Sequence, residues 1–324
     1  MLDELEVRMF RPEIKIIDCT IRDGGLMNDS RFPLETVRAI YRMACDAGID
    51  YVELGYRNSK KLLSEDDFGP WRFCDEQDLR KATDGIEPRV TKLAIMMDAH
   101  KSSERDLPPK DKSVVDMVRV ATYVKDIDKA IHLCNAAQQA GYETTINLMS
   151  ISKEAGPFLT EALQQIEAET KTQAVYVVDS FGSLYSEEVH YFAEMFQMHL
   201  KTKQIGVHMH NNQQLAFANT IEGVIKGANY LDGTLYGLGR GAGNCPTELL
   251  LGFLKNPKFN IVPVLQAIQD YILPLQKEIP WGYHVPYMLT GVRNLHPQTA
   301  IEWVESDKRN QLVDFYRKLE VEFE

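Results

Sequence analysis

His208 and His210 are separated by a single methionine in the segment QIGVHMHN (204–211). On a β-strand, residues i and i+2 project to the same side, here about 7 Å apart along the chain. Two imidazoles placed this way can reach one metal ion; the bland reading is a pair of satisfied polar residues. A second group follows the apolar run IKIIDCTI (14–21), where Arg22 and Asp23 appear in succession. Asp23, His208 and His210 together make a mixed oxygen and nitrogen donor set that leaves positions open for substrate oxygens. Such a set suits Mn²⁺ or Mg²⁺, while Zn²⁺ would lack the thiolates it prefers. Beside that ion, Arg22 would supply positive charge where an enolate or alkoxide develops; its plain alternative is a salt-bridged arginine at a rim. A third stretch, GLGRGAGNCPTE (237–248), keeps Arg240, Asn244, Cys245 and Glu248 among its glycines. Asn244 can either cap the helix that follows or offer its amide oxygen to the ion.

These groups need a scaffold that brings distant segments together. IKIIDCT (14–20) reads as a strand. PLETVRAIYRMACDAG (33–48) reads as a helix, with Leu34, Val37, Ile40, Tyr41 and Ala44 at helical spacing and Gly48 as its stop. DYVELGY (50–56), TKLAIMMD (91–98), DMVRVATY (116–123), TTINLMSI (144–151), QAVYVVDS (173–180), QIGVHMHN (204–211) and NYLDGTLYGLG (229–239) continue the strand series. Helices are predicted near 127–140, 158–169, 185–200, 212–226 and 246–254. Eight strands alternating with helical segments mean parallel neighbours joined by crossovers, and about 240 residues is the size of a closed (β/α)₈ barrel. An open doubly wound sheet is the rival, weakened by the absence of a G-x-G-x-x-G turn after an early strand. The prediction is therefore an α/β chain with a barrel over residues 1–256 and a helical extension over 257–324, broken by Pro263, Pro274 and Pro280. The polar segment 57–75 is a candidate lid. In a parallel barrel the reactive groups collect at the C-terminal strand ends. That adds Glu53, Asn147, Asp179 and Ser180 to the candidates.

Composition narrows the function class. Of 324 residues, 44% are hydrophobic, enough for a large core without cross-links. With 36 basic and 47 acidic residues the formal charge is −11, which argues against nucleic acid or an anionic membrane as partner. The 5 cysteines include no CxxC pair, so free thiols in a reducing cytoplasm are expected. The N-terminal MLDELEVRMFRPE is acidic and lacks the apolar centre of a secretory signal. No apolar run reaches the ~18 residues of a membrane span.

DCTIRDGG (18–25), HMHNN (208–212) and GLGRGAGNCPTE (237–248), taken in order at barrel strand ends, resemble the metal-dependent aldolases and lyases with an Asp-Arg-Glu signature on a TIM barrel. That superfamily includes 4-hydroxy-2-oxovalerate aldolase, hydroxymethylglutaryl-CoA lyase, isopropylmalate synthase and homocitrate synthase. The resemblance covers residues 14–255. DSFG (179–182), the glycine stretch and GYHVPY (282–287) are most similar to the 4-hydroxy-2-oxovalerate aldolase branch. It implies Asp23, His208 and His210 as metal ligands, with Asn244 as a further one. It also implies Arg22 as the group that stabilises a pyruvate enolate and Ser180 as a hydroxyl for the pyruvate carboxylate. Glu53 falls near the family's second-strand glutamate, and Tyr283 or Tyr287 matches a tyrosine at the active-site rim. The implied partners are a small 2-oxo acid and an acylating aldehyde dehydrogenase, and a homo-oligomer is expected.

One departure is chemical. The aldolase branch places a histidine base three residues after the metal-binding aspartate, and here that residue is Leu26. The reactive cysteine of the lyase branch is also missing, since Arg240 and Gly241 stand in its loop. His284, in the extension, is the candidate replacement base. The expected reaction is retro-aldol cleavage of a 4-hydroxy-2-oxo acid to pyruvate and an aldehyde, or its reverse. A Claisen-type acyltransferase using acetyl-CoA and an interaction protein on a barrel without a base are the alternatives.

Overall fold

The computed structural model describes residues 11–154 and 156–323; the acidic segment 1–10, read above as no secretory signal, lies outside them. Eight parallel strands, β1 (Lys15–Asp18), β2 (Tyr51–Tyr56), β3 (Lys92–Asp98), β4 (Met117–Thr122), β5 (Glu143–Leu148), β6 (Ala174–Asp179), β7 (Gln204–Met209) and β8 (Tyr230–Gly233), form a closed barrel in sequence order. Closure is made by β1 on β8, with Lys15 opposite Tyr230 and Asp18 opposite Gly233.

Alternation along each strand divides the core in two. Ile17, Tyr51, Met117, Tyr176 and Tyr230 fill the barrel. Their neighbours Ile16, Val52, Val118, Val175 and Leu231 face the surrounding helices. The lower interior is an aromatic plug in which the Tyr51 and Tyr176 rings lie 6.3 and 6.5 Å from that of Tyr230. Gly206 leaves the space that Tyr176 needs: a Cβ there would sit 2.5 Å from the ring. The helix Leu34–Ala47 buries Val37, Ile40, Tyr41 and Ala44 and stops at Gly48 with φ 72°, the left-handed cap that glycine takes most readily.

Several elements depart from the expectation. β1 ends at Asp18, short of the expected end at residue 20, and residues Thr20–Gly24 turn into a short helix that carries Arg22 and Asp23. Isoleucine and threonine favour strands weakly; here the Asp18 carboxylate accepts from the Thr20 amide at 3.1 Å and Thr20 Oγ1 accepts from the Leu235 amide at 2.8 Å, which curls the chain. A helix at Glu76–Thr83 follows β2, and the β3–β4 crossover uses two short 3₁₀ turns, Glu104–Asp106 and Lys110–Lys112, in place of a helix. The candidate lid 57–75 is anchored: Arg57 donates to the Cys74 carbonyl at 2.8 Å and to Glu76 at 2.7 Å, and buried Trp71 donates to the Phe32 carbonyl at 2.8 Å. Beyond the barrel, the helix Ile261–Ala267 packs on Leu34–Ala47. Helices Val285–Val292, Gln298–Glu305 and Leu312–Phe323 gather around Tyr287, Ala300, Phe315 and Leu319. All 5 cysteines are free and buried. Among the described residues no helix is long and apolar enough to cross a membrane.

Asp18 is buried inside this framework, and burial pushes its pKa up to about 6 against weaker opposition from its bonds to Thr20 and Thr247. A carboxyl whose folded pKa is raised contributes stability below the unfolded value, and that contribution is lost as pH rises through about 6. Asp18→Asn keeps the shape without the charge. It is expected to raise the unfolding free energy at pH 7.5 by on the order of 1–3 kcal/mol, with the gain fading near pH 4. Urea unfolding at the two pH values measures it; no gain at pH 7.5 would show that the hydrogen bonds fully solvate the charge.

Candidate active site

Three segments deliver the donor set to one end of the barrel. Asp23 comes from the turn after β1, His208 from β7 and His210 from just beyond it. Asp23 Oδ2 lies 4.0 Å from His208 Nε2 and 3.9 Å from His210 Nε2. Two ligands bound at about 2.1 Å can stand no more than about 4.2 Å apart, so one ion spans either gap. The imidazoles are oriented for it. His208 Nδ1 bonds the Asp232 carboxylate at 2.9 Å, and His210 Nδ1 bonds the Asp179 carbonyl at 2.8 Å. When each Nδ1 carries the proton, each Nε2 is left as an acceptor, the usual arrangement behind metal-bound histidines. His208 Nε2 is buried without a partner, as is Asn244 Oδ1. These orphaned acceptors beside a carboxylate fit a divalent cation.

The glycine stretch is zipped to the end of β7. The Asn211 amide donates to the Gly243 carbonyl at 2.9 Å, and the Cys245 amide to the Met209 carbonyl at 3.2 Å. This brings Asn244 against Asp23, to which its amide donates, and a second bond runs to the Leu238 carbonyl at 3.0 Å. Asn244 does not cap the next helix, whose N-cap is Pro246. The close approach requires Gly239: a Cβ there would lie 2.2 Å from Asn244 Nδ2 and 3.2 Å from Asp23 Oδ2.

Behind the donors runs a buried chain of charges. Arg22 donates to Asp23 and, through Nε, to Glu53 Oε2 at 2.6 Å. The same Glu53 oxygen accepts from Arg119 Nη1 at 3.0 Å, and Arg119 Nη2 donates to Asp232 Oδ2 at 2.7 Å. Arg119 is 0% exposed and stacks its guanidinium 4.6 Å from the Tyr176 ring centre. Two arginines against three carboxylates leave this chain one net negative charge. Burial alone would raise the pKa of Asp23, but Arg22, the two histidines and Asn244 hold it well below the usual carboxylate range. Asp232 is likewise held at about 2 against burial, chiefly by Arg119. Burial, helped by His208, pushes His210 down to about 3, so the ring is neutral and able to ligate at pH 7. Cys19, His208 and Asp232 also cluster. However, burial raises the Cys19 thiol well above its ordinary value and Asp232 is engaged by Arg119, so that group orients His208.

These residues open onto a cavity of about 110 Å³ lined by Arg22, Asp23, His208, His210, Ser180, Asn147, Asp98 and Arg240 on its polar side. Leu26, Tyr56, Met96, Ala121 and Met149 form an apolar side. A larger surface cavity of about 560 Å³ lies between Leu34–Ala47 and Ile261–Ala267, with no member of the donor set on its walls; converging polar groups make the smaller one the site. Ser180 Oγ accepts from the Ser150 amide at 2.8 Å, which leaves its proton free to donate.

Other expected residues lie elsewhere. Glu53, expected to bind substrate, is fully buried beneath Arg22 and is not on the cavity wall, because both arginines claim it. Tyr283 is 53% exposed, and His284 is also exposed, packed edge-on at 5.7 Å against Tyr287. Tyr287 is buried among the helices of the extension, under Gly241. None of the three lines the cavity; Tyr287 packs instead with Ala300, Phe315 and Leu319 of the extension. Arg119 and Asp232 were missed, although a lone charge inside DMVRVATY and inside NYLDGTL was the available signal.

A closed parallel barrel with such a donor set and an arginine at its C-terminal mouth defines a barrel enzyme. The chain belongs to the HMGL-like family, whose pattern matches residues 13–270. It is 28% identical over 314 residues to 4-hydroxy-2-oxovalerate aldolase of Thermomicrobium roseum, covering 94% of this chain and 86% of that one. It is 29% identical over 240 residues to oxaloacetate decarboxylase of Mycobacterium tuberculosis, covering 74% and 69%. The crystal structure of the N-terminal domain of a candidate aldolase from Bacteroides vulgatus superposes with a TM-score of 0.80 at 30% identity, covering 93% of this chain and 100% of that one.

Proposed function

We propose that this protein is a divalent-metal-dependent carbon–carbon lyase of the aldolase type, which cleaves a 4-hydroxy-2-oxo acid to pyruvate and an aldehyde or joins the two. The observation that carries this reading is the convergence of Asp23, His208 and His210 with Arg22 on one small cavity. A bound Mn²⁺ or Mg²⁺ would supply Lewis-acid charge at the keto oxygen of the substrate. Ser180 donates its free proton to the 2-oxo acid carboxylate. Arg22, pinned by Glu53 and Asp23, faces the enolate that forms as the C3–C4 bond breaks. Leu26 and its apolar neighbours keep water from that enolate. The 4-hydroxyl proton goes to Asp98, the carboxylate on the cavity wall that belongs to neither the donor set nor the buried chain. A cytoplasmic setting, which rests on the free cysteines, completes the reading, with a homo-oligomer and an aldehyde dehydrogenase that takes the product, which rest on the family resemblance.

The test is pyruvate release from 4-hydroxy-2-oxopentanoate after chelation and metal add-back. Activity is expected to vanish with chelator, to return with Mn²⁺ or Mg²⁺, and to be absent in Asp23→Ala with His208→Ala. Asp98→Asn is expected to lower kcat by about 10²–10⁴-fold. Turnover that survives both chelation and the ligand substitutions would sink the reading.

A second reading has its own observation. Where the related aldolases carry a base, Leu26 presents an apolar wall with Met96, Ala121 and Met149. Decarboxylation of a 2-oxo acid with a carboxylate on C3 removes no hydroxyl proton and needs no base. An apolar wall disfavours the carboxylate and favours neutral CO₂. Release of CO₂ without an aldehyde would select this reading over the first.

A further inference from the structure

Every charged group of the buried chain has a partner, but one guanidinium on the cavity wall does not. Arg240 lines the cavity with the donor set, and its Nε is buried without a hydrogen-bond partner. Among the described residues its side chain makes no hydrogen bond and no ion pair. Nor is it free to swing widely at its base. The Gly243 amide donates to the Arg240 carbonyl at 3.2 Å, the Gly282 amide holds the Gly241 carbonyl at 3.1 Å, and the Tyr287 ring supports Gly241 from below. A cation fixed on a rigid loop at a cavity wall, with no carboxylate of its own, is an anion receptor awaiting its anion.

Charge balance points the same way. The buried chain carries one net negative charge, so a divalent ion would turn the site positive by one. Arg240 adds a second positive charge. Asp98 does not cancel it, because its carboxylate already faces Lys101 at 3.3 Å and accepts from the His100 amide at 2.9 Å. A ligand with a single carboxylate answers only one of these charges. The apolar side of Leu26, Met96, Ala121 and Met149 offers a second carboxylate nothing, which directs it to Arg240.

We propose that Arg240 receives a second carboxylate, so that the substrate is a 2-oxo dicarboxylic acid, a 4-hydroxy-2-oxo acid whose distal carbon bears a carboxylate instead of an alkyl tail. The inference rests on the aldolase reading above and names its substrate class. In the cleavage the C3–C4 bond breaks, its electron pair forms the pyruvate enolate, the 4-hydroxyl proton leaves to the base, and C4 departs as an aldehyde carrying the second carboxylate. The enolate then takes one proton to give pyruvate.

The experiment separates this inference from the reading beneath it. Calorimetry on the Mn²⁺-loaded protein compares 2-oxoglutarate with 2-oxopentanoate, five-carbon acids that differ in the tail carboxylate. Wild type is expected to bind 2-oxoglutarate about 10- to 100-fold more tightly, the value of a charge-assisted hydrogen bond. Arg240→Met is expected to erase the difference and Arg240→Lys to keep part of it. Pyruvate release is followed in parallel from 4-hydroxy-2-oxoglutarate and 4-hydroxy-2-oxopentanoate, with the larger loss in Arg240→Met falling on the former. A binding preference without any cleavage leaves Arg240's role standing and overturns the aldolase reading. Cleavage with equal binding of the two tails, or an equal loss on both in Arg240→Met, overturns the inference and leaves the aldolase reading standing.

Discussion

Arg22→Met is expected to lower kcat for cleavage of a 4-hydroxy-2-oxo acid by about 10²–10³-fold while KM changes little, the signature of a donor that acts where charge develops. The structure explains why the loss should fall on kcat. Arg22 is buried and is held from two sides, by Asp23 and by Glu53 through a 2.6 Å bond. Its positive charge is already fixed before substrate arrives, so no reorganisation is needed as the enolate forms. Binding of the ground state leans instead on Ser180, Arg240 and the ion, which the substitution leaves in place. Arg22→Lys should rescue poorly, since one ammonium cannot hold Glu53 and Asp23 in the same plane and still face the substrate. Steady-state kinetics with single-turnover pyruvate release measures the split. A KM effect of the same size as the kcat effect would make Arg22 a binding residue and nothing more.

The sequence made some of this legible for physical reasons. The barrel could be read because parallel strands buried on both faces leave long apolar runs between amphipathic helices, and the histidines could be read because i and i+2 must share a face. Arg22 and Asp23 were found, but their placement was not: three isoleucines suggested a strand that continued past Asp18, while contacts from Asp18, Thr20 and Leu235 bent the chain into a turn of helix. The role of Asn244 depended on a contact made 221 residues away, which local capping preference does not report. Tyr283 and His284 carried the right chemistry in the right order, yet neither lines the cavity, and the packing of Tyr287 with Phe315 and Leu319 beside them is tertiary.

Glu53, Arg119 and Asp232 show a different kind of gap. Each stands near the middle of a strand, in YVELGY, MVRVAT and YLDG, with apolar neighbours on either side. In an ordinary buried strand an isolated charge is an error; inside a barrel three of them on different strands are a circuit. Reading them singly hides this, because each alone is costly and only the closed set is tolerable.

Arg119→Met follows from that circuit and is expected to cost about 3–5 kcal/mol of stability, the usual loss when one member of a buried ion pair is removed. The guanidinium bridges Glu53 at 3.0 Å and Asp232 at 2.7 Å. Without it Glu53 keeps Arg22, but Asp232 is left with His208 alone, and the interior gains a second net negative charge. Two consequences separate this from simple damage to packing. Asp232→Asn in the same background removes the orphaned charge while its amide oxygen still accepts from His208 Nδ1. The double variant should therefore recover about 1–2 kcal/mol relative to Arg119→Met. Second, the single variant should bind Mn²⁺ more tightly than wild type, because the added negative charge attracts the ion and a carboxylate freed from Arg119 pulls harder on the His208 Nδ1 proton, which makes Nε2 a better donor; simple damage to packing would weaken binding instead. Urea unfolding of the four proteins in the cycle, with Mn²⁺ titration of each, reads both effects. Equal losses in the single and double variants would mean that Arg119 is held by its stacking on Tyr176, and that the charges above and below it are independent.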